Sequence, residues 1–161
     1  MNKARLAIDF IQDIAHPDGR IATSAAHVQE QGAITHANQA LAHARAHGWL
    51  VILIKVGFDG GYLLQPKGSP MFGRANQFGA LSLADSGTDF HPELEPALRA
   101  NRIDHLYLCG VSTSWAIQAA DRDYAITILE DACAAADASE HHGSLRMLGR
   151  IAEIITVAQL A

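Results

Sequence analysis

The sequence predicts an α/β protein, a three-layer α/β/α sandwich around an open, mostly parallel, doubly wound sheet. Two observations carry that expectation. Short apolar runs at residues 5–10, 49–56, 106–109, 124–129 and 154–157 have the near-continuous hydrophobicity of strands covered on both faces. Helical patterns fall between most of them, and regular strand–helix alternation is the signature of parallel strands joined by right-handed crossovers.

Taken in order, residues 5–10 form a short strand whose carboxyl end carries Asp9. A helix is expected over 30–47, with Ile34, Ala37, Leu41 and Ala44 at three-to-four spacing and Gly48 as its stop. The run WLVILIKV at 49–56 is the second strand. Strand 106–109 follows a helix over 92–101 and leads into another over 113–122. Strand 124–129, a helix over 139–151 and strand 154–157 complete the chain. Residues 57–90 break the alternation: they hold seven of the thirteen glycines and two of the five prolines. A segment of that length inside a compact domain is expected to be a lid or an interface with a partner. Residues 1–161 are read as one domain.

With 49% apolar and 18% charged residues, the chain has the composition of a globular protein with a substantial core. Its net charge of −5 is dispersed and no Lys/Arg cluster is interleaved with aromatics, which argues against nucleic acid and anionic membranes as partners. A small-molecule ligand is the expected partner. No apolar run approaches the roughly 20 residues of a membrane span, and the N-terminus lacks the pattern of a secretory signal, so a cytoplasmic location is expected. Cys109 and Cys133 lack CxxC spacing and read as reduced, buried thiols.

The chemistry is concentrated at strand ends. In LYLCGVSTSWA, residues 106–116, an apolar strand turns through Gly110, Val111, Ser112 and Thr113 into a helix. Such a turn directs N–H groups into the crevice at the sheet's carboxyl edge, where oxyanions and small ligands are held. Asp9 belongs at the same edge, and Lys55, near the end of the second strand, is placed to pair with it and lower its pKa. Phe58, Tyr62, Phe72, Phe78 and Trp115 could wall an apolar pocket over Asp9. A hydroxyl nucleophile among Ser112, Thr113 and Ser114 would need a stronger base than Asp9. His36, His43 and His47 share a helical face, but Arg45 lies nearby and no carboxylate completes a ligand set, so a solvated helix is expected and no metal or other cofactor.

Together, AIDFIQD at 7–13, GTDFHPEL at 87–94, GVST at 110–113 and EDACA at 130–134 resemble the isochorismatase-like cysteine hydrolases, the superfamily of nicotinamidases, N-carbamoyl amide hydrolases and isochorismatases. The resemblance implies Asp9 as general base, or as the acid in the isochorismatase branch. It implies a cysteine nucleophile at the position held here by Ala116. It further implies a lysine on a strand following GTDFHPEL, where this chain proceeds directly to EPALRANRID. Ile11 stands in place of the usual glutamine. Homo-oligomers, dimers or tetramers, are also implied.

Three functions follow. One is a small-molecule hydrolase of amide-type bonds, impaired or altered in the Asp/Lys/Cys mechanism. The second is cysteine-independent acid chemistry by Asp9 on a vinyl ether or similar group. The third is a pseudoenzyme that binds a small ligand through Val111, Ser112 and Thr113, or serves as a scaffold.

Overall fold

A computed structural model describes residues 3–70, 72–94, 105–111 and 125–160. The strands are β1 (Lys3–Ile8), β2 (Leu50–Ile54), β3 (His105–Val111), β4 (Ala125–Ala134) and β5 (Glu153–Ile155). They form one sheet in the order β2-β1-β3-β4-β5, with every neighbouring pair parallel. From β1 the chain moves to one side of the sheet and from β3 to the other. The switch point of this doubly wound three-layer fold therefore lies between β1 and β3, where such sheets open a crevice at their carboxyl edge.

The described helices are α1 (Gln12–Ala15), α2 (Ala25–Glu30), α3 (Ala33–Ala46) and α4 (Ala138–Leu148). Helix α3 buries Ala37, Ala40, Leu41 and Ala44 completely and packs across β1, β2 and β4. Its small side chains let the helix lie close to the sheet, and one apolar cluster continues from it through Ala7, Leu108, Ile128 and Leu129. α4 packs on β4, and the Asp137 carboxylate caps it by accepting the Glu140 N–H at 2.8 Å.

Several expected boundaries move. The helix expected over 30–47 starts at Ala33, because Gly32 takes a left-handed φ of 59°, a conformation cheap for glycine, and the separate helix α2 over Ala25–Glu30 was not expected. β4 continues through Glu130 and Asp131 to Ala134 instead of stopping at Leu129. Asp131 is accommodated there by the Val157 N–H, which donates to its carboxylate at 2.9 and 3.1 Å. α4 ends at Leu148, short of Ile151, where the chain turns into β5. Residues 92–94, expected to open a helix, lie in a turn; the remainder of that helix and the one over 113–122 lie outside the described residues.

Arg5, at the middle of β1, is wholly buried. Among the described residues none of its guanidinium nitrogens has a hydrogen-bond partner, and the group lies 5.2 Å from the Tyr107 ring centre and 5.8 Å from that of Trp49. Cation–π attraction thus offsets part of its desolvation, while burial holds its pKa below the usual value.

Candidate functional site

Asp9 follows the last residue of β1 and adopts a left-handed φ of 55°. Aspartate tolerates that region better than most side chains, but strain of this kind persists only where neighbours enforce it. The enforcement is visible: the Asp9 N–H donates to the Ile54 carbonyl at 2.9 Å, and its carboxylate Oδ1 accepts the Val56 N–H at 2.9 Å. The chain leaving β2 therefore clamps both the backbone and the side chain of Asp9. The residue is only 5% exposed. Burial pushes its pKa up to about 6, against the opposing pull of the Val56 hydrogen bond.

On the other side of the switch point, Ile8 is in register with Gly110, so Asp9 and Val111 follow at the adjoining strand ends. Gly110 has a φ of 147°, and a Cβ there would stand 2.3 Å from the Ile8 carbonyl oxygen. Only glycine lets β3 approach β1 this closely, beside a register shift between β3 and β4. Val111 is buried.

Lys55 does not pair with Asp9. Its side chain is exposed, its ammonium stands 5.8 Å from the Phe90 ring centre, and the Asp9 pKa is raised instead of lowered. The chain direction at the end of β2 brings the Val56 amide, not the preceding side chain, to the carboxylate. Phe58 is buried in a small separate core with Ile11, Ala75, Ala80 and Leu81, against which Tyr62 and Phe72 pack; Phe78 is exposed. The expected aromatic wall is in this part the core of the 57–90 segment itself. Ser112, Thr113, Trp115 and Ala116 lie outside the described residues.

Sequence reasoning missed what fastens that segment. Asp13, 3% exposed, accepts the Leu81 N–H at 2.7 Å and the Arg20 N–H at 3.3 Å. The Arg20 guanidinium lies 3.6 Å from the Asp13 carboxylate and also donates to Asp85 and to the Gly79 carbonyl, each at 2.8 Å. Gly87 packs so tightly that a Cβ would fall 2.1 Å from the Asp13 carboxylate. The segment leaves the sheet just after Val56, the residue that holds Asp9, and returns at Phe90, which bridges to Ile11. It contains two short 3-10 turns, Ala75–Gln77 and Ser86–Thr88.

The two thiols lie beside Gly110, Cys109 preceding it in β3 and Cys133 facing it across the register of β4, but neither is exposed. Cys109 and Cys133 are both free and buried; burial raises the pKa of Cys109 to about 11 and that of Cys133 well above the usual thiol range. His43 and His47 stack at 4.0 Å, whereas His36 lies 3.8 Å from Asp131. Among the described residues, no three His, Cys, Asp or Glu side chains converge as metal ligands, and no helix is long and apolar enough to cross a membrane.

An all-parallel doubly wound sheet with a buried carboxylate at its switch point places this chain among α/β proteins whose ligand crevice lies at the carboxyl edge. The family description "Isochorismatase domain" matches residues 90–159. The uncharacterized isochorismatase family protein YecD of Escherichia coli O157:H7 is 30% identical over 151 residues, covering 79% of this chain and 80% of that protein. The chain belongs to the isochorismatase family. Its fold is similar to that of a cysteine hydrolase from Pseudomonas syringae pv. phaseolicola 1448A, with a TM-score of 0.80 and 20% identity over 98% of this chain and 90% of the other. It is also similar to N-carbamoylsarcosine amidase from Thermoplasma acidophilum, with a TM-score of 0.72 and 21% identity over 99% of each chain.

Proposed function

We propose that this protein acts on a small molecule at the carboxyl ends of β1 and β3, with Asp9 as a proton donor and no covalent thiol step. The observation that carries the reading is the Asp9 carboxyl itself, buried, held among the described residues by the Val56 N–H and with its pKa raised to about 6. Such a group keeps a protonated fraction near neutral pH and can act as a general acid. Ala116 occupies the position where the family resemblance puts the nucleophile, and both cysteines are buried with raised pKa values. Each of these supports chemistry without a thiolate. The substrate class that suits the site is a vinyl ether. Asp9 protonates its carbon, water adds to the resulting oxocarbenium ion and returns a proton to Asp9, and the hemiketal collapses to an alcohol and a carbonyl product. Val111, Ser112 and Thr113 supply the anion-holding turn in this reading, with Trp115 beside the substrate.

The test is to incubate the protein and its Asp9→Asn variant with a cell metabolite extract and follow every mass. Loss of a metabolite only with the unmodified chain, at a rate falling as pH rises through about 6, is the expected result. Turnover indifferent to Asp9→Asn overturns it. An amide hydrolysis that appears only in Ala116→Cys would instead mark this chain as a hydrolase that lacks its nucleophile.

One observation favours a second reading, a ligand-binding pseudoenzyme: among the described residues no cation stands beside Asp9, and Lys55 lies over Phe90 instead. In that case a ligand raises the melting temperature without being consumed. Residues 57–90 are, in either reading, the lid or the interface of a homo-oligomer within a single domain. Their attachment on both sides of Asp9 supports the first role, and the exposure of Leu63, Leu64 and Phe78 supports the second.

A further inference from the structure

Lys3 and Arg5 stand two apart on β1, so their side chains leave the same face of the sheet, and both act on His43 in the last turn of α3. The two cations converge on one pair of rings. The Lys3 ammonium lies 4.6 Å from the Trp49 ring centre and 5.6 Å from that of Tyr107, and the Arg5 guanidinium lies 5.8 and 5.2 Å from the same two centres. His43 completes the group, its ring edge-on to Trp49 at 5.2 Å and stacked on His47 at 4.0 Å. Arg5 forms the floor, wholly buried, whereas Lys3, His43 and Trp49 are half-buried and His47 is exposed, so the cluster reaches the surface on their side.

Two side chains here lack what burial normally demands. Among the described residues the Nε, Nη1 and Nη2 atoms of Arg5 have no hydrogen-bond partner, and neither has His43 Nε2, although all four atoms are buried. The ring faces offset part of the guanidinium's charge, but they leave its in-plane N–H donors without an acceptor. The groups that ordinarily meet a buried guanidinium are carboxylates and phosphates, whose oxygens match its fork. Among the described residues no carboxylate fills that role: the groups acting on Arg5 are Cys109, Tyr107 and Cys133, and those acting on His43 are His47, Arg5 and Lys3. The end of α3 does not oppose an anion with open carbonyls either. The Ala44 carbonyl accepts the Trp49 N–H at 2.8 Å, and the Arg45 carbonyl accepts the Gly48 N–H at 3.1 Å.

We propose that this cluster binds a phosphate group, its oxygens accepting from the Arg5 guanidinium at the floor, the Lys3 ammonium and His43 Nε2, with Trp49 at the mouth. Two fixed cations and an imidazole that a ligand can hold protonated match a dianion better than a singly charged carboxylate. The phosphate is inorganic or carried by a small organic molecule, whose body would lie against the half-buried Trp49 ring. The binding is separate from the chemistry at Asp9: Arg5 lies at the middle of β1, Asp9 follows its carboxyl end, and neither Lys3 nor Arg5 is among the groups acting on Asp9.

The test is a calorimetric titration of the full chain with inorganic phosphate and with phenyl phosphate at constant ionic strength. It is paired with 15N-indole NMR, in which the Trp49 signal, one of two, is identified by its loss in Trp49→Phe. Saturable heat, movement of the Trp49 signal and a rise in melting temperature are expected. Arg5→Met puts an unbranched apolar chain in place of the guanidinium. It should abolish binding and raise the melting temperature of the unliganded protein, because a buried charge without a partner has been removed. Lys3→Gln, at a half-buried position, should weaken phosphate roughly tenfold and decides the matter if Arg5→Met does not fold. Tighter binding of phenyl phosphate marks an ester as the ligand, and tighter binding of inorganic phosphate marks the free ion. The proposal is overturned by no saturable binding of either, by an affinity unchanged in Lys3→Gln, by binding that leaves the Trp49 signal in place, or by acetate binding as tightly as the phosphates.

Discussion

Asp9 and Asp13 are both carboxylates at or below 5% exposure, close together after β1, yet the protein surrounds them differently. Asp13 receives the amides of Leu81 and Arg20 and the Arg20 guanidinium, which fix it as the anchor of the 57–90 segment. Asp9 receives the Val56 amide and, among the described residues, no cation, and its pKa rises to about 6. Burial alone does not mark a reactive group. The number of donors around a buried carboxyl separates one that organises structure from one left free to exchange a proton.

The largest effect that sharpens this contrast is expected from Asp13→Ala. It leaves Arg20 and the Leu81 amide without their acceptor, and should cost about 4 kcal/mol in denaturant unfolding, with earlier proteolytic cleavage within 57–90. A loss as small as that of an exposed site would break the assignment of Asp13 as anchor. Asp9→Asn should act in the opposite direction. The folded-state pKa of Asp9 lies above the unfolded value, so its contribution to stability is complete below pH 3.8 and is lost as pH rises through about 6. The asparagine variant should therefore gain up to about 3 kcal/mol over the wild type at pH 8, and little at pH 3.5. Gly110→Ala, which drives a methyl against the Ile8 carbonyl, should cost about 2 kcal/mol, and the Asp9 pKa should move with it.

The smallest effect is a change of slope. Burial of His141, with His27 and His142 nearby, lowers its pKa to about 4. Its contribution to stability is present above the unfolded value near 6.5 and is lost as pH falls through about 4. Asp9 and His141 thus tilt stability oppositely across the same interval. A pH series of denaturation midpoints should be nearly flat there for the wild type, and should rise with pH once Asp9→Asn removes one of the two slopes.

The elements that sequence made legible are those with a local cause. LVILI in β2 and LYLC in β3 are too apolar and too short for anything but strands buried in a sheet, and the position of Asp9 at the carboxyl edge followed from β1 alone. What escaped depends on distant partners. Asp131 continues β4 because Val157 answers it, and Asp13 anchors a loop through Leu81, sixty-eight positions along the chain. Arg5 opens an expected strand in sequence, but its burial rests on Trp49 and Tyr107, contributed by β3 and the approach to β2. The pairing of Lys55 with Asp9 failed for a similar reason: sequence placed the two residues at one edge, and backbone direction decided which group reached the carboxylate.

The strand order has a consequence for how such a protein changes over evolutionary time. Among the described residues β2 ends the sheet on one side and β5 on the other, whereas Asp9 follows β1 and Val111 closes β3, strands that have neighbours on both sides. Strands can be gained or lost at either margin while the two innermost positions of the crevice keep their spacing, so the architecture permits revision at its borders without redrawing its centre.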